Sequence, residues 1–141
     1  MSRHLGDRVV QALHRWRWPG RSRQAEQRLP VILCGLDYAH YRLLTHFAHS
    51  THYSALAVVD DYPWHHGTHV EGVRVYYPSE VPSLVERHGV VAVVYCHADD
   101  LAVFGGETRE RLAVWGVPCV RLSPNDEDIE AELTSRLASR T

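Results

Sequence analysis

The chain has 141 residues, 45% of them apolar, and a formal charge of -2 at neutral pH, which suits one domain with a full hydrophobic core and argues against a second. That charge also argues against a general nucleic-acid binder, whose surface would be strongly basic. No run approaches the roughly 20 apolar residues of a membrane span, and Cys34, Cys96 and Cys119 sit in or beside apolar runs rather than in a disulfide framework, so a cytoplasmic protein is expected.

Residues 1–29 form a basic arm, with Arg3, Arg8, Arg15, Arg17, Arg21, Arg23 and Arg28 against Asp7 and Glu26. Leu5, Val9, Leu13 and Trp16 recur at helical spacing, predicting an amphipathic helix that ends near Trp18, Pro19 and Gly20 and is followed by a linker. Such an arm can pack on the domain or on a second subunit, giving a homo-oligomer such as a homodimer. It can also lie on an anionic membrane surface, where Trp16 and Trp18 would favour the interface, or contact phosphates.

Residues 30–141 alternate strand and helix signals. Val31 to Cys34 is a short buried-strand run closed by Gly35, and Tyr41, Leu44 and Phe47 then share one side of a helix. Ala55 to Val59 predicts a second strand ending in Asp60 and Asp61, and a loop with Pro63 and Gly67 leads to a third at Val73 to Tyr77. The connection before it is short for a crossover, so its direction stays open. Ser79 is the expected cap of a helix closed by His88 and Gly89.

Val90 to Tyr95 is the most apolar run and reads as the central parallel strand, ending at Cys96 and His97. Gly105 and Gly106 precede a helix carrying Leu112 and Trp115, and Val117 to Leu122 gives a fifth strand. Ser123 and Pro124 are expected to open the last helix, whose buried stripe is Ile129, Leu133 and Leu137. The pattern implies an α/β, Rossmann-like three-layer sandwich, a mainly parallel sheet of about five strands with helices on both faces. Ligands of such sheets bind beyond the carboxyl ends of the strands, where strand order reverses.

That edge collects Cys34, Gly35, Leu36, Asp37, His40, Asp60, Asp61, Cys96, His97, Asp99 and Asp100. The dinucleotide fingerprint needs three glycines, for the tight turn, for approach to the pyrophosphate and for helix packing. Gly35 to His40 keeps the first alone: Asp37 adds negative charge where a phosphate would sit, and His40 is bulky where glycine is expected. Asp60 or Asp61 keeps the acidic position that binds ribose hydroxyls, although two aspartates also suit the start of a loop. The nucleotide-contacting candidates are therefore Gly35, Leu36, Asp37, Asp60, Asp61, Cys96 and His97.

A different reading comes from the 11 histidines. His65, His66 and His69 in one loop, with Cys96, His97 and His40 and with Cys34 as a further thiol, form a mixed set suited to Zn or another divalent transition metal. Neither a CxxC pair nor an HExxH helix makes that signal specific, and solvated loop histidines with buried cysteines account for the same letters. Adjacent residues on a strand face opposite ways, so nucleophilic catalysis by Cys96 is better served by His40 or a loop histidine as its base than by His97, unless the strand has already ended before Cys96.

The runs Val31-Ile32-Leu33-Cys34-Gly35, Ala57-Val58-Val59-Asp60-Asp61, Glu71 to Tyr76 and Leu84 to Val94 together resemble the Rossmann-type domain of CapD-like polysaccharide biosynthesis proteins. Similar runs occur in CoA-binding domains and in the cofactor domain of Rex-type redox regulators. The resemblance covers roughly residues 30–122 and implies a bacterial domain that binds NAD(P), a nucleotide-sugar or a related nucleotide at the strand ends. In CapD-like enzymes the module follows membrane helices and precedes a catalytic domain. A stand-alone domain would be a non-catalytic binding or regulatory module, or an interaction protein with a vestigial pocket that docks through its Arg/Trp arm. Gly35 and Asp60 or Asp61 are the positions carried over from the family; the histidine-rich loop has no counterpart there.

Overall fold

Strand β1 (Leu29–Cys34) alternates its side chains between two cores, as a central strand with both faces covered must. Val31 and Leu33 pack with Leu43, Leu44 and Phe47 of α1 (Tyr38–Ala48) and with Ile129 and Leu133 of α4 (Ile129–Ala138). Ile32 and Cys34 face the opposite way, toward Val81, Leu84 and Val85 of α2 (Val81–His88) and Leu112 of α3 (Gly106–Val114). The structure, a computed structural model, describes residues 28–139. The expected N-terminal helix lies outside the described residues.

The other strands are β2 (Tyr53–Val59), β3 (His69–Val70), β4 (Val73–Tyr76), β5 (Ala92–Tyr95) and β6 (Cys119–Arg121). They form a six-stranded sheet in the order β3-β4-β2-β1-β5-β6, parallel except for the β3–β4 pair. The chain builds outward from β1 to β2 and β4, then returns to the other side of β1 for β5 and β6. Strand order therefore reverses between β1 and β5, and the crevice lies there.

The expected five strands become six because β3 is only two residues long. It pairs with β4 through a two-residue turn, Glu71 and Gly72, whose φ values of 51° and 77° match a tight hairpin turn. The open direction of β4 resolves as parallel to β2 and antiparallel to β3.

Two expected helix starts move. Ser79 lies in a single 3-10 turn (Pro78–Glu80), and Glu80 reaches back to the Tyr77 amide at 2.8 Å. The last helix opens at Asp128, whose Oδ1 accepts from the Ala131 amide at 3.0 Å, rather than at Ser123 and Pro124. At the last helix a carboxylate closer to the helix takes the role, because it satisfies an amide that a serine further upstream cannot reach, whereas α2 follows its 3-10 turn directly with no side-chain cap. No helix among the described residues is long and apolar enough to cross a membrane.

Candidate ligand site at the strand ends

Asp37 is the N-cap of α1, its Oδ1 accepting from the amides of Ala39 at 2.9 Å and His40 at 3.3 Å. The Asp37 amide donates in return to His40 Nδ1 at 3.1 Å, completing a capping box with histidine in the place usually held by Glu or Gln. The two residues that break the glycine fingerprint are thus the pair that starts the helix.

Bonding at Nδ1 leaves the proton of His40 on Nε2, which donates to Asp100 Oδ2 at 2.7 Å. Asp100 Oδ2 also accepts from the amides of Cys96 at 2.9 Å and His97 at 2.8 Å. His97 Nε2 lies 2.8 Å from Asp37 Oδ2, and its ring meets that of His40 edge-on at 5.3 Å. The start of α1 and the segment after β5 are therefore joined across the crevice by two carboxylate–imidazole bonds.

The ring of His40 lies across Gly35, where an added Cβ would come within 2.1 Å of Nε2. Gly35 keeps its turn at φ +125°, but the space above it is filled by the protein's own imidazole. Burial works to raise the Asp100 carboxyl, but the amide of His97, the His40 side chain and the amide of Cys96 outweigh it and hold the group below its usual range. Asp37 is likewise held low, against its burial, by bonding to the His40 amide and by the two imidazoles.

The thiols are not activated. Burial, followed by the charge of Asp100, pushes Cys34 and Cys96 up to about 12. Among the described residues, His40 bonds to Asp100, His97 to Asp37, His65 to Asp60 and His66 to Glu80, rather than to Cys96.

Two clefts flank this network. The smaller, about 260 Å³, touches Gly35, Leu36, Asp37, His40 and Asp60, together with Asp99 and Asp100. The larger, about 440 Å³, touches Cys96 and His97 on the β5–β6 side. Asp60 is held through Oδ2 by His65 Nδ1 at 2.5 Å and by the Tyr62 amide at 3.4 Å. Asp61 is exposed and lines neither cleft.

The expected metal set of His65, His66, His69, Cys96, His97 and His40 does not converge. His65 is taken by Asp60, His66 by Glu80 at 2.9 Å and by stacking on Tyr77, and His69 is exposed in β3. Among the described residues, the three ligand types that meet within 4.8 Å are Asp37, His40 and His97. Sequence reasoning placed Asp100 at the strand end without a role. Its signal was the Cys-His-x-x-Asp spacing, in which an aspartate turns back to cap amides three and four residues earlier.

No protein-family model matches the chain, and no curated protein matches it. Among solved structures it is similar to UDP-D-quinovosamine 4-dehydrogenase from Vibrio fischeri, at 17% identity and a TM-score of 0.53 over 77% of this chain and 86% of that one. It is also similar to RSP, a Rex-family repressor, at 17% identity and a TM-score of 0.56 over 82% of this chain and 58% of that one. The structure of RSP in complex with β-NADH gives 17% identity and a TM-score of 0.55, over 80% of this chain and 58% of that one. The fold is Rossmann-like. The chain spans little more than half the length of the Rex-family repressor.

Proposed function

We propose that this chain is a nucleotide-binding domain of the NAD(P) or nucleotide-sugar type that works by binding rather than by catalysis. The observation that carries this reading is Asp60, which follows β2 and lines the 260 Å³ cleft beside Gly35. An acidic group there suits a ribose, and both hydrogen bonds to Asp60 fall on Oδ2, leaving Oδ1 for a hydroxyl. The likeness to a UDP-sugar dehydrogenase and to a repressor solved with β-NADH supports the same ligand class, as does the resemblance to CapD-like domains. A binding role agrees with the chemistry of the crevice, where the imidazoles and carboxylates are bonded to one another and the thiols are protonated.

A ligand of the native state must stabilise it. NAD, NADP or a UDP-sugar should therefore raise the melting temperature of the full chain, and Asp60→Asn should abolish the shift. If none of the three shifts the wild-type transition at millimolar concentration, the nucleotide reading fails.

One observation favours a second reading. The Asp37 carboxylate sits between two imidazoles, 2.8 Å from His40 Nδ1 and 2.8 Å from His97 Nε2, while Asp100 binds the far nitrogen of His40. A carboxylate behind a ligating histidine is the usual outer partner of a metal site. In this reading Asp37, His40 and His97 hold Zn or another divalent transition metal, which would supply a fixed positive charge at the crevice. Stoichiometric metal in untagged protein, lost in His97→Ala, is the expected result; metal-free protein that zinc does not stabilise overturns it.

A further inference from the structure

The 440 Å³ cleft lies between α1, β6 and α4, and ribose binding at Asp60 does not use it. Three arginines line it, each from a different element: Arg42 of α1, Arg121 of β6 and Arg136 of α4. Each guanidinium is anchored through one nitrogen. Arg121 Nε donates to the Cys96 carbonyl at 3.0 Å, Arg42 Nη1 to Asn125 Oδ1 at 3.0 Å, and Arg136 Nε to Glu132 Oε1 at 3.1 Å. For Arg121 and Arg136 this anchoring spares both terminal nitrogens, the fork that fits phosphate oxygens.

The other lining groups agree with an anion. Of the two carboxylates, Glu132 is paired with Arg136, and Asp126 Oδ2 accepts from the Ser123 amide at 2.9 Å. Ser123 Oγ accepts from the Asn125 amide at 3.1 Å, so its own proton remains to be donated. Tyr38 stands at the rim, 76% exposed, as a platform for a planar or sugar group. The neighbouring smaller cleft has the opposite character, with Asp37, Asp60, Asp99 and Asp100 in its lining and no arginine. The Asp37–His97 bond divides the two, so the edge of the sheet is acidic on the β2 side and basic on the β6 side.

We propose that the cleft lined by Arg42, Arg121 and Arg136 binds a phosphorylated small molecule, its phosphate oxygens held by the three guanidiniums. This site takes over, on the far side of the crevice, the anion recognition that the covered Gly35 turn cannot perform. It stands on its own residues, whether or not a ribose binds at Asp60.

Titration calorimetry of the full chain with inorganic pyrophosphate tests it, with citrate as a carboxylate of comparable charge. Pyrophosphate should bind, more weakly as salt is raised, and Arg121→Ala and Arg136→Ala should each weaken it by about tenfold or more. Arg136 is exposed, so its variant reports on binding even if Arg121→Ala, which frees the Cys96 carbonyl, fails to fold. Asp60→Asn should leave pyrophosphate affinity unchanged, which separates failure here from failure of the nucleotide reading. Absence of pyrophosphate binding, binding indifferent to Arg136→Ala, or tighter binding of citrate would overturn the proposal.

Discussion

His40 Nε2 lies 2.7 Å from Asp100 Oδ2, and that bond ties the first turn of α1 to the segment after β5 at the point where strand order reverses. One carboxylate oxygen thereby satisfies an imidazole from α1 and two amides from its own segment after β5. The protein's own polar groups bridge the middle of the crevice and leave a cleft on either side.

Asp100→Asn removes the charge from these bonds and should cost about 1.5–3 kcal/mol at pH 7, the range for hydrogen bonds to ionised groups. Because the folded-state carboxyl is held below its ordinary value of 3.8, its stabilisation is full above that value and is lost as pH falls through the folded value. Urea unfolding between pH 6 and 2.5 should show the wild type losing more stability on acidification than the variant. Parallel curves would show that Asp100 is not the group responsible.

Gly35→Ala would drive a Cβ into the His40 ring in a backbone conformation, φ +125°, that L side chains rarely adopt. It should destabilise by about 1–3 kcal/mol. Adding His40→Ala removes the clash but not the backbone strain, so the double variant should lose less than the sum of the two single losses. Strict additivity in denaturant midpoints would mean that the ring does not rest on the glycine.

Asp37→Ala deletes the N-cap of α1 and should lower stability by about 1 kcal/mol. Asp37→Asn keeps an oxygen for the Ala39 and His40 amides and should be close to neutral, even though it loses the charge facing His97. Thermal melts of the two variants separate the capping role from the ion pair; equal losses would assign the effect to the pair.

At pH 7.5 iodoacetamide should modify Cys119 first, because it is exposed, whereas Cys34 and Cys96 are buried. Burial also raises the pKa of Cys119, so even that reaction should be slow. Peptide mapping after brief treatment, native against urea-unfolded, measures the order. Rapid native labelling of Cys96 would contradict its pKa of about 12 and reopen nucleophilic chemistry there.

Much of the fold was legible because burial imposes a period. The apolar runs at Val31 to Cys34, Ala55 to Val59 and Val90 to Tyr95 are short and bounded by turn residues, as buried strands are, and Leu133 and Phe47 lie in the helices that cover them. The two-residue strand β3 is too short to carry a period. The cap at Asp128 competes with a nearby serine that is equally good on paper, and distance along the chain decides between them.

By itself the sequence determined the α/β class, the location of the crevice and the absence of a complete glycine fingerprint, since these depend on hydrophobic period and on residue type at a turn. The tertiary structure decided what fills the crevice. Asp37 and His40 are local partners, but Asp100 and His97 are 60 residues from them, and Arg42, Arg121 and Arg136 meet only because α1, β6 and α4 pack at one corner of the sheet. Hydrogen bonds and charge pairs act over a few ångströms of space, and distance along the chain carries no record of which distant residues the folded sheet will bring within that range.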